Sequence, residues 1–205
     1  MDMEVRNVTE GADTFTSNAW LAVGERDVLV DAGSADPDET VGRIREEVNG
    51  LDAVVLTHQH GDHVGSLNAV LDAFDAPLYA YGDHPRRDEK LEAGDEVRIG
   101  DEGCDVVFTP GHADDHVSLV GEKSVFTGDV VVYNDDAFDD GSFGRTDMPG
   151  QSREKLIESV RRLLDALPET VEAMYAGHGD AYEGDVRAVV ERALERAERR
   201  EPKYD

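Results

Sequence analysis

The chain has 205 residues, one cysteine, and 47 acidic against 20 basic residues, for a formal charge of -27. That length can bury one substantial core and is short for two catalytic domains, so one domain over residues 1-205 is expected. The charge argues against a nucleic-acid substrate, because no basic stripe is present to neutralise phosphates, and the lone Cys104 excludes an intrachain disulfide.

Carboxylates run from Asp2 to Asp205 rather than forming one acidic tail, and only four of the basic residues are lysines. This distribution suits a halophilic protein from a salt-rich cytoplasm, where salt screens the self-repulsion. The N-terminal stretch MDMEVRNVTE has neither a basic region nor an apolar one, and no run of eighteen apolar residues occurs. The expectation is a soluble cytoplasmic protein with no membrane segment. Cys104, in the apolar run GCDVVF, reads as a small core residue.

In chain order, strands are expected around Glu4–Thr9, Asn18–Val23 and Asp27–Asp31, set apart by glycine-containing turns. A helix follows: Asp36 can cap it, Pro37 suits the first helical position, Asp38 and Glu39 suit the positive end of the dipole, and Val41, Ile44 and Val48 share a face. Apolar residues at three- and four-residue steps predict helices over Val64–Phe74, Ser152–Leu167 and Asp185–Arg199. Short runs rich in β-branched residues, Ala53–Leu56, Val106–Thr109, Val117–Val120, Ser124–Thr127 and Val171–Tyr175, predict buried strands. Strands first, then alternating strands and helices, imply a mixed α/β (α+β) protein whose sheets are covered by helices.

The chemistry-bearing residues follow these strands. His58, His60, Asp62 and His63 come after Ala53–Leu56, His112 after Val106–Thr109, Asp129 after Ser124–Thr127, and His178 after Val171–Tyr175. Loops leaving one sheet edge can converge on a site. Imidazole and carboxylate are what Zn²⁺, Fe and Mn²⁺ accept where no thiolate is offered, and five histidines with two aspartates suit two ions rather than one. His84, in the charged loop GDHPRRD, reads as a surface residue. His116 lies four residues after His112 and is a rival ligand, but His112 occupies the tight Pro-Gly-His turn, so His116 is assigned to packing or to support of the ligands.

THQHGDH at 57–63, TPGH at 109–112, TGD at 127–129 and AGHG at 176–179, in this order, resemble the metallo-β-lactamase superfamily. The resemblance implies a four-layer αββα sandwich of two mixed sheets flanked by helices, with the site at one edge. It also implies His58, His60 and His112 on a first divalent metal, Asp62, His63 and His178 on a second, and Asp129 bridging, with zinc expected and iron or manganese as alternatives. Asp62 would in addition orient the attacking hydroxide. Among branches, Gly141-Ser142-Phe143-Gly144-Arg145-Thr146-Asp147 resembles short glyoxalase II-like (hydroxyacylglutathione hydrolase-like) thioesterases and is similar to persulfide dioxygenases. Both act on thiol-conjugated small molecules.

Thioester hydrolysis by a metal-bridging hydroxide is the leading expectation. A mononuclear iron persulfide dioxygenase on His58, His112 and Asp129 is the runner-up, followed by a lactonase or other ester hydrolase of the same fold and, last, a non-catalytic metal-binding scaffold. Arg145 is a candidate grip for a substrate carboxylate, with pairing to Asp147 as its structural alternative. Tyr133 is a candidate substrate contact, with packing as its alternative. After His178 only 27 residues remain, enough for one helix, which speaks against glutathione as the thiol carrier.

Overall fold

The computed structural model describes residues 3–201 and Lys203. Its first sheet has the order β1 (Glu4–Asn7), β2 (Trp20–Val23), β3 (Val28–Val30), β4 (Ala53–Val55), β5 (Leu78–Ala80) and β6 (Glu89–Lys90). The first three strands pair antiparallel, and β3 through β6 pair parallel. The second sheet has the order β14 (Tyr182–Glu183), β13 (Ala173–Ala176), β10 (Ser124–Gly128), β9 (Val117–Val120), β8 (Glu102–Phe108) and β7 (Glu96–Ile99). Only β10 and β13 pair parallel in it, so both sheets are mixed. A small ribbon of β11 (Val131–Val132) and β12 (Ser142–Phe143) lies beside them.

Side-chain alternation along the strands builds the layers. In the first sheet Leu21, Leu29 and Val54 face the helices α1 (Pro37–Glu47) and α3 (Leu67–Phe74), where Ile44, Leu67 and Val70 join them. Their neighbours Trp20, Val28, Val30, Ala53 and Val55 face the other way and meet Ile99, Val106, Leu119 and Phe126 of the second sheet. Val120 and Val125 then face outward onto α4 (Arg153–Ala166) and α5 (Val186–Glu198). This period of two, repeated across two sheets, is what makes an αββα sandwich with three separate apolar layers. No helix among the described residues is long and apolar enough to cross a membrane.

The expected cap of α1 is present: Asp36 accepts from the backbone N–H groups of Asp38 and Glu39, and Pro37 opens the helix. The helix expected over Val64–Phe74 is instead split into α2 (Gly61–Val64) and α3. The Ser66 N–H donates to Gly33 O at 2.9 Å and its hydroxyl to Ala35 O at 3.0 Å, pulling the chain onto the β3–α1 loop at the break. β5, β6, β7, β11, β12 and β14 are not among the strands expected from the sequence; each has two to four residues, too few for a pattern to show. Cys104 is fully buried between the sheets, and burial pushes its thiol up to about 12, consistent with an inert core role.

Phe126 is fully buried and stacks on Tyr175 at 5.1 Å between centroids. Phe126→Ala is expected to cost about 3–5 kcal/mol in denaturant unfolding, through the cavity left between two sheets that cannot close over it.

Candidate metal centre

All the candidate ligands leave the same edge of the sandwich. β4 runs on into Thr57 and His58, β8 into Thr109 and the turn of His112, β10 into Gly128 and Asp129, and β13 into Gly177 and His178. The two sheets are tied there, since the Val117 N–H donates to Thr57 O at 2.8 Å and the Asn18 N–H to Gly177 O at 2.7 Å, while the Gly177 N–H extends the β10–β13 pairing to Gly128 O at 2.8 Å. The ligand-bearing turns are therefore anchored by ladder-like hydrogen bonds on both sides.

In one group, His58 Nε2 lies 3.1 Å from His60 Nδ1, which lies 2.8 Å from His112 Nε2. Their partners set the tautomers. The buried Asp31 carboxylate accepts from the Thr57 N–H at 2.8 Å and from the Thr57 hydroxyl at 2.7 Å. With its hydrogen given to Asp31, Thr57 Oγ1 must accept from His58 Nδ1 at 3.1 Å, which leaves a lone pair on His58 Nε2. His112 Nδ1 likewise donates to the Arg145 carbonyl at 3.0 Å, leaving the lone pair on Nε2. Lone pairs aimed at a common point repel one another unless a cation or a shared proton lies between them.

In the second group, His178 Nε2 lies 3.1 Å from Asp62 Oδ2 and 3.4 Å from Asp129 Oδ2. His63 donates from Nδ1 to Asp31 Oδ2 at 2.8 Å, while its Nε2 faces Asp129 Oδ1 at 3.4 Å. Those last two atoms are buried and lack a well-formed hydrogen bond. Asp129 Oδ2 also lies 3.2 Å from His112 Nε2, so this one carboxylate faces both groups. Ligand atoms of His58, His60 and His112, of His58, His63 and Asp129, and of Asp62, His63 and His178 each fall within 4.8 Å of one another. Nitrogen and oxygen donors in this arrangement, with two orphaned buried atoms between them, fit a pair of divalent cations.

Burial and neighbouring charge pull the titratable groups of the metal-free site in opposite directions. Burial opposes ionisation of Asp129, but the charges and hydrogen bonds of His178 and His63 outweigh it and hold the carboxyl well below its usual range. Burial likewise opposes a charge on His63, yet Asp129 and Asp31 raise it well above an ordinary imidazole. His178, against the same burial, is lifted to about 9 by Asp129 and Asp62. For Asp62, burial is outweighed by the hydrogen bond from His178 and by the His63 and His178 charges, which lower it. Burial depresses His58 and His112. Without metal, the carboxylates of Asp129, Asp31 and Asp62 thus favour the protonated forms of His63 and His178.

His116 is not a ligand. Its Nε2 accepts from the Asp129 N–H at 2.9 Å and its Nδ1 donates to Thr109 Oγ1 at 2.8 Å, so both ring nitrogens are engaged in aiming Asp129, and burial drops it to about 3. Close packing demands glycine at two neighbouring positions: a Cβ on Gly128, with φ of +52°, would lie 2.6 Å from His116 Nε2, and one on Gly177 only 2.0 Å from Asp129 Oδ1. His84 lies in a separate turn, where its Nδ1 accepts from the Arg86 N–H at 3.1 Å.

The ligands open into a cleft of about 740 Å³ whose walls include Arg145, Gln151 and Lys203. The Arg145 guanidinium forks onto Asp147 at 2.9 and 2.8 Å, the structural pairing anticipated as its alternative role, while its carbonyl orients His112. Tyr133 is not among the residues lining this cleft; its ring lies against Tyr182 with centroids 4.6 Å apart, in the packing role given as its alternative.

Sequence reasoning missed Asp31, Thr57, Asn18 and Lys203. Asp31 has the left-handed φ of 59°, a strained position for a non-glycine residue that is held by its three side-chain hydrogen bonds. The available signal was an aspartate ending an apolar strand, as Asp129 does. Asn18 donates its N–H to Gly177 O at 2.7 Å and its amide to Ala176 O and Gly179 O at 2.9 Å each, clasping the turn that carries His178. Lys203 pairs with Asp135 at 2.6 Å in a buried ion pair.

Asp129→Ala is expected to remove most bound metal, and Asp31→Ala to weaken metal affinity about 10–100-fold through loss of ligand orientation, whereas His84→Ala leaves both unchanged; elemental analysis and competition with a chelator measure this. For metal-free protein, the raised His63 and His178 contribute stability that is fully present below the unfolded imidazole value of 6.5 and is lost as pH rises, for His178 through about 9. The depressed His58, His112 and His116 have the opposite sign and cost stability as pH falls below 6.5. Thermal unfolding of the metal-free protein should therefore peak near pH 6.5, with metal affinity rising as pH increases and protons are displaced.

Comparison with known proteins agrees with this geometry. A hydroxyacylglutathione hydrolase from Francisella philomiragia is 38% identical over 93 residues, a match covering 43% of this chain and 37% of that enzyme. Among solved structures, ETHE1 from Myxococcus xanthus superposes with a TM-score of 0.75 at 26% identity, covering 96% of this chain and 84% of that one. The protein TTHA1623, solved in a di-iron-bound form, superposes with a TM-score of 0.67 at 28% identity, covering 86% of this chain and 93% of that one. The family model of the metallo-beta-lactamase superfamily matches residues 12–101 and 81–178, and with the sandwich and its edge site this chain belongs to that superfamily.

Proposed function

We propose that this protein is a dinuclear metal-dependent hydrolase that cleaves the thioester of a small thiol. The observation that carries the reading is the placement of Asp129, one buried carboxylate facing both groups of histidines, with every residue of the seven-ligand pattern present around it. The relatives named hydroxyacylglutathione hydrolase support the thioester, and zinc is the first candidate among the metals such donors accept, with iron or manganese next. His58, His60 and His112 would hold one ion and Asp62, His63 and His178 the other, with Asp129 shared between them.

Two such ions, when bound, supply a water that ionises near neutrality and an electrophile for the carbonyl. The chain's own residues prepare the ground for this. Asp31 and Thr57 hold His58 and His63 in the tautomers that present Nε2, so the ligands need no rearrangement. Asp62, partly open to the cleft, has a carboxylate oxygen available to accept a hydrogen bond from the attacking water and aim it. The main-chain carbonyl of Arg145 keeps the His112 ring in place. The net charge of -27 supports a salt-rich cytoplasm as the working environment.

A persulfide dioxygenase is the second reading, favoured by the likeness to ETHE1 over 96% of this chain. It would use His58, His112 and Asp129 for a single iron and leave the other four residues in support. Protein purified in high salt should contain about two metals per chain and hydrolyse a thioester without oxygen uptake on a persulfide; about one iron with oxygen consumption would replace the hydrolase by the dioxygenase.

A further inference from the structure

We infer that the metal cleft takes a substrate carrying an apolar acyl or aryl group next to its reacting carbonyl, and that Phe15 and Met148 form the seat for that group. Among the described residues two large apolar side chains stand exposed, Phe15 at 79% and Met148 at 50% of their full surface. Both line the cleft that holds the candidate ligands. They come from segments far apart in the chain, the β1–β2 connection and the stretch after β12, so their meeting at one cleft is not a local accident of sequence.

Neither side chain is exposed because its backbone is loose. The Ser34 hydroxyl donates to Phe15 O at 3.0 Å and the Ser34 N–H to Thr16 Oγ1 at 2.7 Å. The Met148 N–H donates to Gln151 Oε1 at 3.0 Å, and the Gln151 N–H returns to Met148 O at 3.1 Å. Two tethered loops thus hold apolar groups out in water, at the edge of a site whose other walls include Asp135, Asp136 and Arg145. The Phe15 ring lies nearly parallel to that of His178, at 5.5 Å and 18°, so the apolar surface begins at a candidate ligand and extends outward. A ligand anchored at the metals by its carbonyl would lay its next few carbons on this surface, where removing exposed apolar area from water favours binding. A small, wholly polar acyl group would leave both side chains as wet as before.

The inference depends on the proposed hydrolysis only for the identity of the carbonyl, and its test does not require turnover. Acetohydroxamate and phenylacetohydroxamate present the same metal-binding head with and without an aryl group. Calorimetry on metal-loaded protein should show the aryl compound binding about tenfold or more tightly than the acetyl one. In the Phe15→Ser/Met148→Ser double variant the ratio should fall below about threefold, with acetohydroxamate affinity and metal content unchanged, as expected when only apolar contact is removed. Equal binding of the two compounds by the wild type, or a preference that survives the double substitution, would overturn the seat. A parallel loss of acetohydroxamate affinity would also overturn it, by showing that the two residues act on the metal site. If no thioester is hydrolysed, the hydrolase reading fails while the hydroxamate ratio still decides this one.

Discussion

Asp129 is a carboxylate almost wholly removed from water, with imidazoles of His63, His112 and His178 within 3.4 Å of its oxygens. A buried anion is tolerated only where positive charge and hydrogen bonds compensate it, and nearly every feature of this edge of the molecule supplies one or the other. His116 fixes its main-chain N–H, glycines at 128 and 177 make room for it, and His63 and His178 face its oxygens, their affinity for protons raised by its charge. A pair of divalent cations would satisfy the same demand, because the lone pairs of His58 and His112 already point to a common place.

The fold makes this affordable by separating rigidity from chemistry. Three apolar layers lock the two sheets, and the strands then end together at one edge, so the ligands stand on short extensions of the most buried elements. The strain at Asp31 belongs to this arrangement. Its left-handed backbone lets one carboxylate reach Thr57 and His63 at once, and through Thr57 it also governs His58. A single residue thereby orients a ligand of each histidine group. The cleft above is the contrasting region: polar walls, a buried Lys203–Asp135 pair, and two apolar side chains held out on tethered loops.

The sequence by itself carried the candidate ligand residues and the class of fold. Seven donor residues sit immediately after apolar strands, and strand ends carry their side chains to a sheet edge whatever the details of register. The long amphipathic helices α4 and α5 were legible for the same reason, since their period repeats over three or more turns. Strands such as Leu78–Ala80 and Ser142–Phe143 were not, because two or three residues show no period and their pairing partners supply the reason to be extended. Only the tertiary structure decided the rest: that His116 serves by accepting from the Asp129 N–H, that Asp31 and Asn18 serve candidate ligands distant in the chain, that Tyr133 packs on Tyr182, and that Phe15 and Met148 share a cleft. Each depends on contacts between residues distant in sequence, which local pattern does not encode and which exist only once the two sheets have closed on each other.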